Sequence, residues 1–263
     1  MKIAVIGSNG FLGRYLTKSL SQKHTVLPVT RQTVDISDFT AVQLWLQNNK
    51  PDVVINCAIS GGGKAVDEIN YSHVQHDLRV FLNFYNSDHI MRYINIGSGA
   101  EFDRRTNIDS AKETDILTAK PLESYSFVKN TIARLCKDRM NFYTLRLFGC
   151  FDSSEPDFRL FKKFKANGKI EIEDRYFDYI SLQDFATIVD YYIKEFGPKD
   201  INCVYSQKLL LSEQLIEFAR FHCPNNTISS KIGLGLSYTG DSTKLDSLKL
   251  PLLGLEESLR LYE

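Results

Sequence analysis

The chain has 263 residues, 43% hydrophobic and 24% charged, which suits one substantial globular core or one core with a smaller lobe. Its 32 basic and 32 acidic residues cancel, so no broad field of one sign draws it to nucleic acid or to a membrane surface. No apolar run approaches the roughly 18–20 residues that a membrane-spanning helix needs. Five cysteines without C-x-x-C spacing argue for a reducing cytoplasmic setting rather than a disulfide framework or a zinc site.

The sequence enters a short apolar run at residues 3–6 at once, with no charged-then-apolar leader before it. Similar runs follow at 25–29, 53–57, 93–96 and 143–147. They are rich in β-branched or aromatic residues and largely apolar on both faces, as strands covered by helices on two sides must be. Helical segments are expected between them at 11–20, 39–49, 65–86 and 124–140, the second preceded by Asp38 in a capping position. This alternation predicts an α/β fold, a Rossmann-type doubly wound parallel sheet, through about residue 150. Beyond it the rhythm loosens. A helix is expected at 158–166, a turn at Asn167-Gly168, short strands near 169–172 and 177–180, and a helix at 182–196. A strand-helix pair at 202–205 and 212–223 then precedes an irregular tail. The chain therefore divides into a dinucleotide-binding domain, 1–150, and a small C-terminal α/β substrate lobe, 151–263, parts of which return to the main sheet.

Gly7-Ser8-Asn9-Gly10-Phe11-Leu12-Gly13 follows the first strand and opens the first helix. Glycines at this spacing let the chain turn tightly and let its backbone approach a pyrophosphate, which then sits on the helix N-terminus. After the second strand the chain reads Val29-Thr30-Arg31-Gln32, with no acid until Asp35. An acid there would bind a ribose 2′-hydroxyl, whereas an arginine neutralises a 2′-phosphate, so Arg31 favours NADPH over NADH or NAD. Further on stands Tyr125-Ser126-Phe127-Val128-Lys129. Residues four apart on a helix share a face, so Tyr125 and Lys129 can address one reacting atom. A fixed ammonium beside a tyrosine favours its phenolate form, which suits proton exchange with a sugar or alcohol oxygen while hydride moves.

Other groups read as less specific. His73 and His76 are three apart on an expected helix without a carboxylate-histidine cluster, so they read as solvated residues and no metal site is expected. Gly61-Gly62-Gly63-Lys64 lacks the Walker spacing and reads as a loop at the cofactor edge. Arg159, Lys162, Lys163 and Lys165 form either a dock for a nucleotide diphosphate or a solvated helix face.

Together these segments resemble the extended short-chain dehydrogenase/reductase superfamily, NAD(P)-dependent epimerase/dehydratase type, in its nucleotide-sugar branch. The resemblance is carried by the glycine turn, by residues 30–38, by Asp52-Val53-Val54-Ile55-Asn56-Cys57-Ala58, and by Ile96-Gly97-Ser98-Gly99-Ala100-Glu101-Phe102. Leu145-Arg146-Leu147-Phe148-Gly149 and, more loosely, residues 178–184 and 254–259 extend it. It implies catalytic roles for Ser98, which holds the substrate oxygen, for Tyr125 as general acid/base, and for Lys129 on the nicotinamide ribose. It implies cofactor contacts at Gly7, Asn9, Gly10, Phe11, Leu12, Gly13, Arg31, Asp35, Ile36, Cys57, Ala58, Ile59, Tyr125, Lys129 and Phe148. The implied reaction is NADPH-dependent reduction of a nucleotide-activated 4-keto-6-deoxy sugar. A C4 epimerase that retains NAD and a non-catalytic NAD(P)-sensing protein are the alternatives. A homodimer through the helices at 65–86 and 124–140 is also implied, with Val80, Phe81, Phe84, Ile132, Leu135 and Cys136 as candidates.

Departures from the family narrow the chemistry. Its 4,6-dehydratases carry Asp-Glu directly after the active-site Ser/Thr, where this chain has Gly99 and Ala100. Glu101 lies one residue further on, and on a strand it would point to the other face. Reductases that also epimerise use a cysteine, which aligns with Ala100, and a histidine after the sixth strand; residues 151–164 contain no histidine. Hydride transfer at a single carbon remains.

Overall fold

The computed structural model describes residues 1–59 and 70–262. Its strands are Lys2–Ile6 (β1), Thr25–Val29 (β2), Val53–Asn56 (β3), Arg92–Ser98 (β4), Ile108–Ala111 (β5), Phe142–Leu147 (β6), Gly149–Phe151 (β7), Lys169–Ile172 (β8), Tyr179–Ser181 (β9), Asp200–Asn202 (β10), Thr227–Ser230 (β11) and Tyr238–Gly240 (β12). Its α-helices are Phe11–Leu20 (α1), Phe39–Asn49 (α2), Tyr71–Tyr85 (α3), Ser124–Asp138 (α4), Leu160–Asn167 (α5), Leu182–Lys194 (α6), Leu211–His222 (α7), Thr243–Ser247 (α8) and Leu255–Arg260 (α9).

Six strands form one parallel sheet in the order β10-β6-β4-β3-β1-β2. The order of strand addition reverses between β1 and β3, which opens a crevice above their carboxyl ends. Both faces are buried, and β1 shows how. Ile3 and Val5 point into a core with Leu16 and Leu20 of α1 and Phe185, Ile188 and Tyr192 of α6. Ala4 and Ile6 point the other way, against Val42 and Leu46 of α2, Phe81 and Phe84 of α3, and Ile132 and Cys136 of α4. A strand with two buried faces gains from apolar residues at every position, which is the pattern read from the sequence.

The differences from expectation have physical reasons. The helix expected at 65–86 is described from Tyr71, where the Asn70 carboxamide oxygen accepts from the Ser72 and His73 N–H groups and caps it. Residues 65–69 and Gly61 to Lys64 lie outside the described residues. The strand expected at 202–205 lies earlier, at Asp200–Asn202, and joins the main sheet beside β6. Its polar ends concealed it; Asp200 is buried against Lys137, and Asn202 accepts from Arg146. The tail is more ordered than expected, since β11 pairs with β8 and β12 with β5. A further core joins Phe161 and Phe164 of α5 to Leu215 and Phe218 of α7 and Leu259 of α9. Of the proposed dimer residues, Val80, Phe81, Phe84, Ile132 and Cys136 are buried in the chain's own core, with Leu135 packed at its edge. The five buried ones cover the sheet, and Leu135 alone of the six keeps partial exposure. Among the described residues, no helix is long and apolar enough to cross a membrane.

Candidate active site

The turn after β1 is built for close approach. Gly7 has φ of 77°, and a Cβ there would stand 2.9 Å from the Ala58 nitrogen; one at Gly13 would stand 2.2 Å from the Gly7 carbonyl oxygen. Only glycine lets α1 lie directly on the turn, with its N-terminus facing the crevice. A cavity of about 660 Å³ opens there. Gly7, Asn9, Gly10, Arg31, Asp35, Ile36, Cys57, Ala58, Ile59 and Lys129 line it, as do Thr30, Gln32, His76, Asp77 and Asn95, which sequence reasoning did not assign. Exposed Asp35 accepts from the Ser37 N–H at 2.9 Å and from its hydroxyl at 2.7 Å, which holds its carboxyl below the usual range.

Leu12, Tyr125 and Phe148 instead line a second cavity of about 410 Å³. Phe11 and Gly13 line neither: Phe11 packs on the core with the Arg159 guanidinium 5.2 Å from its ring centre, and Gly13 makes the helix-turn contact. Cys57, Ile59 and Lys129 border both cavities. At this junction the expected catalytic residues meet. Ser98, at the end of β4, is buried and lines the second cavity with Tyr125 and Lys129. Helix α4 presents both; the Lys129 ammonium donates to the Ile96 carbonyl at 2.6 Å and lies 6.0 Å from the Tyr125 ring centre. The Arg104 guanidinium lies 5.5 Å from the Tyr125 ring centre and pairs with Glu123 at 2.5 Å. Sequence reasoning missed Tyr238, whose phenol oxygen is 3.5 Å from the Ser98 hydroxyl.

Glu101 faces away from the second cavity, but not by strand alternation. Gly99–Phe102 is a 3₁₀ turn and does not continue the strand, so alternation of faces does not decide where Glu101 points. One carboxylate oxygen accepts from the Ser98 N–H at 2.8 Å, and the other accepts from Arg146 Nε at 2.6 Å. Both side chains of this pair are fully buried. Burial pushes the Glu101 carboxyl up, and the Arg146 guanidinium opposes it. The carboxylate is therefore withdrawn from the second cavity by an ion pair and a cap. Nor is there room for an acid at 99, because a Cβ there would stand 2.4 Å from the Phe148 ring.

Among the described residues, no carboxylate and no histidine lines the second cavity, whereas Arg104, Arg159 and Arg175 do. Arg159 lines the cavity while paired with Glu155 at 3.1 Å; its neighbouring lysines do not line it. Lys162 pairs with Asp157 at 3.1 Å, and Lys165 lies 5.8 Å from the Tyr262 ring centre.

A doubly wound sheet with a glycine turn at its switch point, and a Ser-Tyr-Lys set at the mouth, defines a dinucleotide-binding α/β protein. Residues 3–203 match the NAD dependent epimerase/dehydratase family, and the chain belongs to that family. A stretch of 74 residues is 40% identical to a dTDP-4-dehydrorhamnose reductase of Mycolicibacterium smegmatis; it spans 27% of this chain and 22% of that relative's length. The structure of a dTDP-4-dehydrorhamnose reductase from Clostridium acetobutylicum superposes with a TM-score of 0.82 at 21% identity, covering 100% of this chain and 98% of that one. That of a GDP-mannoheptose C4 reductase from Campylobacter jejuni, with NADP bound, superposes with a TM-score of 0.77 at 19% identity, covering 98% and 96%. The two superpositions show a shared fold.

Proposed function

We propose that the chain is a cytoplasmic NADPH-dependent reductase of a nucleotide-activated 4-keto-6-deoxy sugar. One observation carries this reading: the second cavity offers hydroxyls and cations to a keto-sugar diphosphate but, among the described residues, no carboxylate or histidine to move a carbon-bound proton. Dehydration needs such groups, and 3,5-epimerisation by a cysteine–histidine pair would lack its histidine. The reductase names of the three relatives described above support it.

The first cavity fits the cofactor. Gly7 and Gly13 let the turn close on Ala58 and α1 sit on the turn, so that the α1 N-terminus faces the cavity, and Arg31 at its rim would meet a 2′-phosphate. When bound, the nicotinamide supplies the hydride. Tyr125 donates the proton to the ketone oxygen, which Ser98 holds by its hydroxyl. The Lys129 ammonium, fixed on the Ile96 carbonyl, would hold the ribose with its remaining N–H groups and offset the negative charge that Tyr125 carries after giving up its proton. Arg104, Arg159 and Arg175, paired with Glu123, Glu155 and Glu173, present guanidinium N–H donors to the diphosphate.

Purified protein offered NADPH and a panel of nucleotide 4-keto-6-deoxy sugars should oxidise one NADPH per sugar reduced. Tyr125→Phe should lower turnover by about 10²-fold or more while NADPH affinity stays nearly intact. Full activity in that variant, or conversion of a simple nucleotide hexose without net cofactor consumption, contradicts the reading.

A further inference from the structure

The hydroxyl of Ser98 has one proton to give and two lone pairs to receive. Donors aimed at its lone pairs turn the rotor so that its proton points outward, toward a ketone oxygen. One partner is the Ala100 N–H, which donates into Ser98 Oγ at 3.2 Å. The other is the phenol of Tyr238, 3.5 Å away. We propose that Tyr238 is a positioning residue for Ser98: it donates its O–H into Ser98 Oγ and, with Ala100, commits the serine proton to the substrate. This rests on the reductase reading above.

The tyrosine is held for that task from several sides. Its N–H donates to the Tyr176 carbonyl at 2.8 Å, and its carbonyl accepts from the Asp178 N–H at 3.1 Å. Its ring meets Phe148 edge-on at 5.1 Å and lies 5.1 Å from Phe177. The serine is equally fixed, its N–H tied to Glu101 at 2.8 Å. Burial pushes the Tyr238 phenol up, so it stays protonated and remains a donor at neutral pH.

Two measurements test this. The first is a double-mutant cycle with NADPH and the keto sugar. Tyr238→Phe keeps the ring and removes the donor. It should lower kcat about tenfold, the scale of one lost hydrogen bond, with KM nearly unchanged. In a Ser98→Ala background the same change should have no further effect, because Tyr238 acts only through Ser98. Equal losses in both backgrounds, or no loss in either, overturn the inference; an inactive wild type overturns the reductase reading instead. The second measurement needs no turnover: neutron diffraction from deuterated crystals of the full chain. The deuteron of Tyr238 should point at Ser98 Oγ. A Ser98 deuteron pointing at Tyr238 refutes the inference whatever the substrate proves to be.

Discussion

The glycine turn at residues 7–13 and the strand that carries Tyr238 border adjoining cavities, yet different physics places them. The turn is specified mostly within itself, with Ala58 closing on Gly7 from outside: Gly10 N–H bonds to the Gly7 carbonyl at 3.0 Å, and Gly13 is required because its missing Cβ would strike the same residue. Strand β12 has no such local logic. Its place is set by β5, where the Ile108 N–H donates to the Ser237 carbonyl at 2.9 Å, and by Tyr176 and Asp178. The cofactor side of the site is thus a short-range structure and the substrate side a long-range one. Changes to exposed side chains of the cofactor side, such as Arg31, should act on cofactor binding alone, whereas changes to the supports of the far side should reach both stability and turnover.

The severest break should come at the seam between them. Ser98 follows a short-range pattern, but its N–H is held by Glu101, which Arg146 holds in turn, and the Arg146 Nη1 donates to Asn202 at 3.0 Å. Glu101→Ala strands a fully buried guanidinium whose other acidic neighbour, Asp200, is 3.8 Å away. Removing one partner of such a pair costs about 3–5 kcal/mol, so urea denaturation should show a loss of that order together with reduced turnover. A loss below about 0.5 kcal/mol would mean that the pair does not support the serine.

The same contrast explains which residues were legible in advance. Gly7, Gly13, Arg31, Tyr125 and Lys129 belong to patterns a few residues long, and the structure brings all but Gly13 to the walls of the two cavities, with Gly13 setting α1 on the turn. Glu101 was expected to face away, and it does, but through an ion pair with a residue 45 positions distant. Tyr238 escaped because no spacing within residues 231–240 announces a strand; its neighbour Ser237 is tied to Asn107, 130 positions earlier. Strand β10 escaped because Asp200 and Asn202 read as surface residues until Lys137 and Arg146 are seen to bury them. Phe148 was expected at the cofactor. It lines the second cavity, seated over Gly99 and Gly240, where a Cβ would stand 2.4 Å and 2.6 Å from its ring.

On the short-range side, Arg31 lies exposed at the rim of the first cavity. NADPH should bind more tightly than NADH, and Arg31→Ala should narrow that gap about tenfold by calorimetric titration, the scale of one charge-assisted contact. Thermal stability should not move. Equal affinities in the native protein, or NAD that co-purifies and does not leave, would shift the weight to an epimerase that retains its cofactor.

The mildest effect should appear on the long-range side, at Asp178. Its carboxylate accepts from the Lys208 ammonium at 2.7 Å and from the Gly240 N–H at 2.8 Å, tying β12 to residues 176–178. Burial nevertheless pushes this carboxyl up to about 6, the lysine and the Gly240 N–H opposing it. The unfolded chain holds the same group near its ordinary value of about 3.9. As pH falls from 7 to 5, the folded state therefore takes up a proton that the unfolded state does not, and stability rises. The gain from this one group is about 1 kcal/mol over that interval, and ionised Asp178 is a net burden above it. Other groups titrate as well, so the quantity to measure is the difference between wild type and Asp178→Asn across the interval. The variant lacks the titration, and the wild type should gain on it by about that amount between pH 7 and pH 5. Parallel stability profiles would mean that Lys208 and the Gly240 N–H fully offset the burial, and that the clamp on β12 is insensitive to pH.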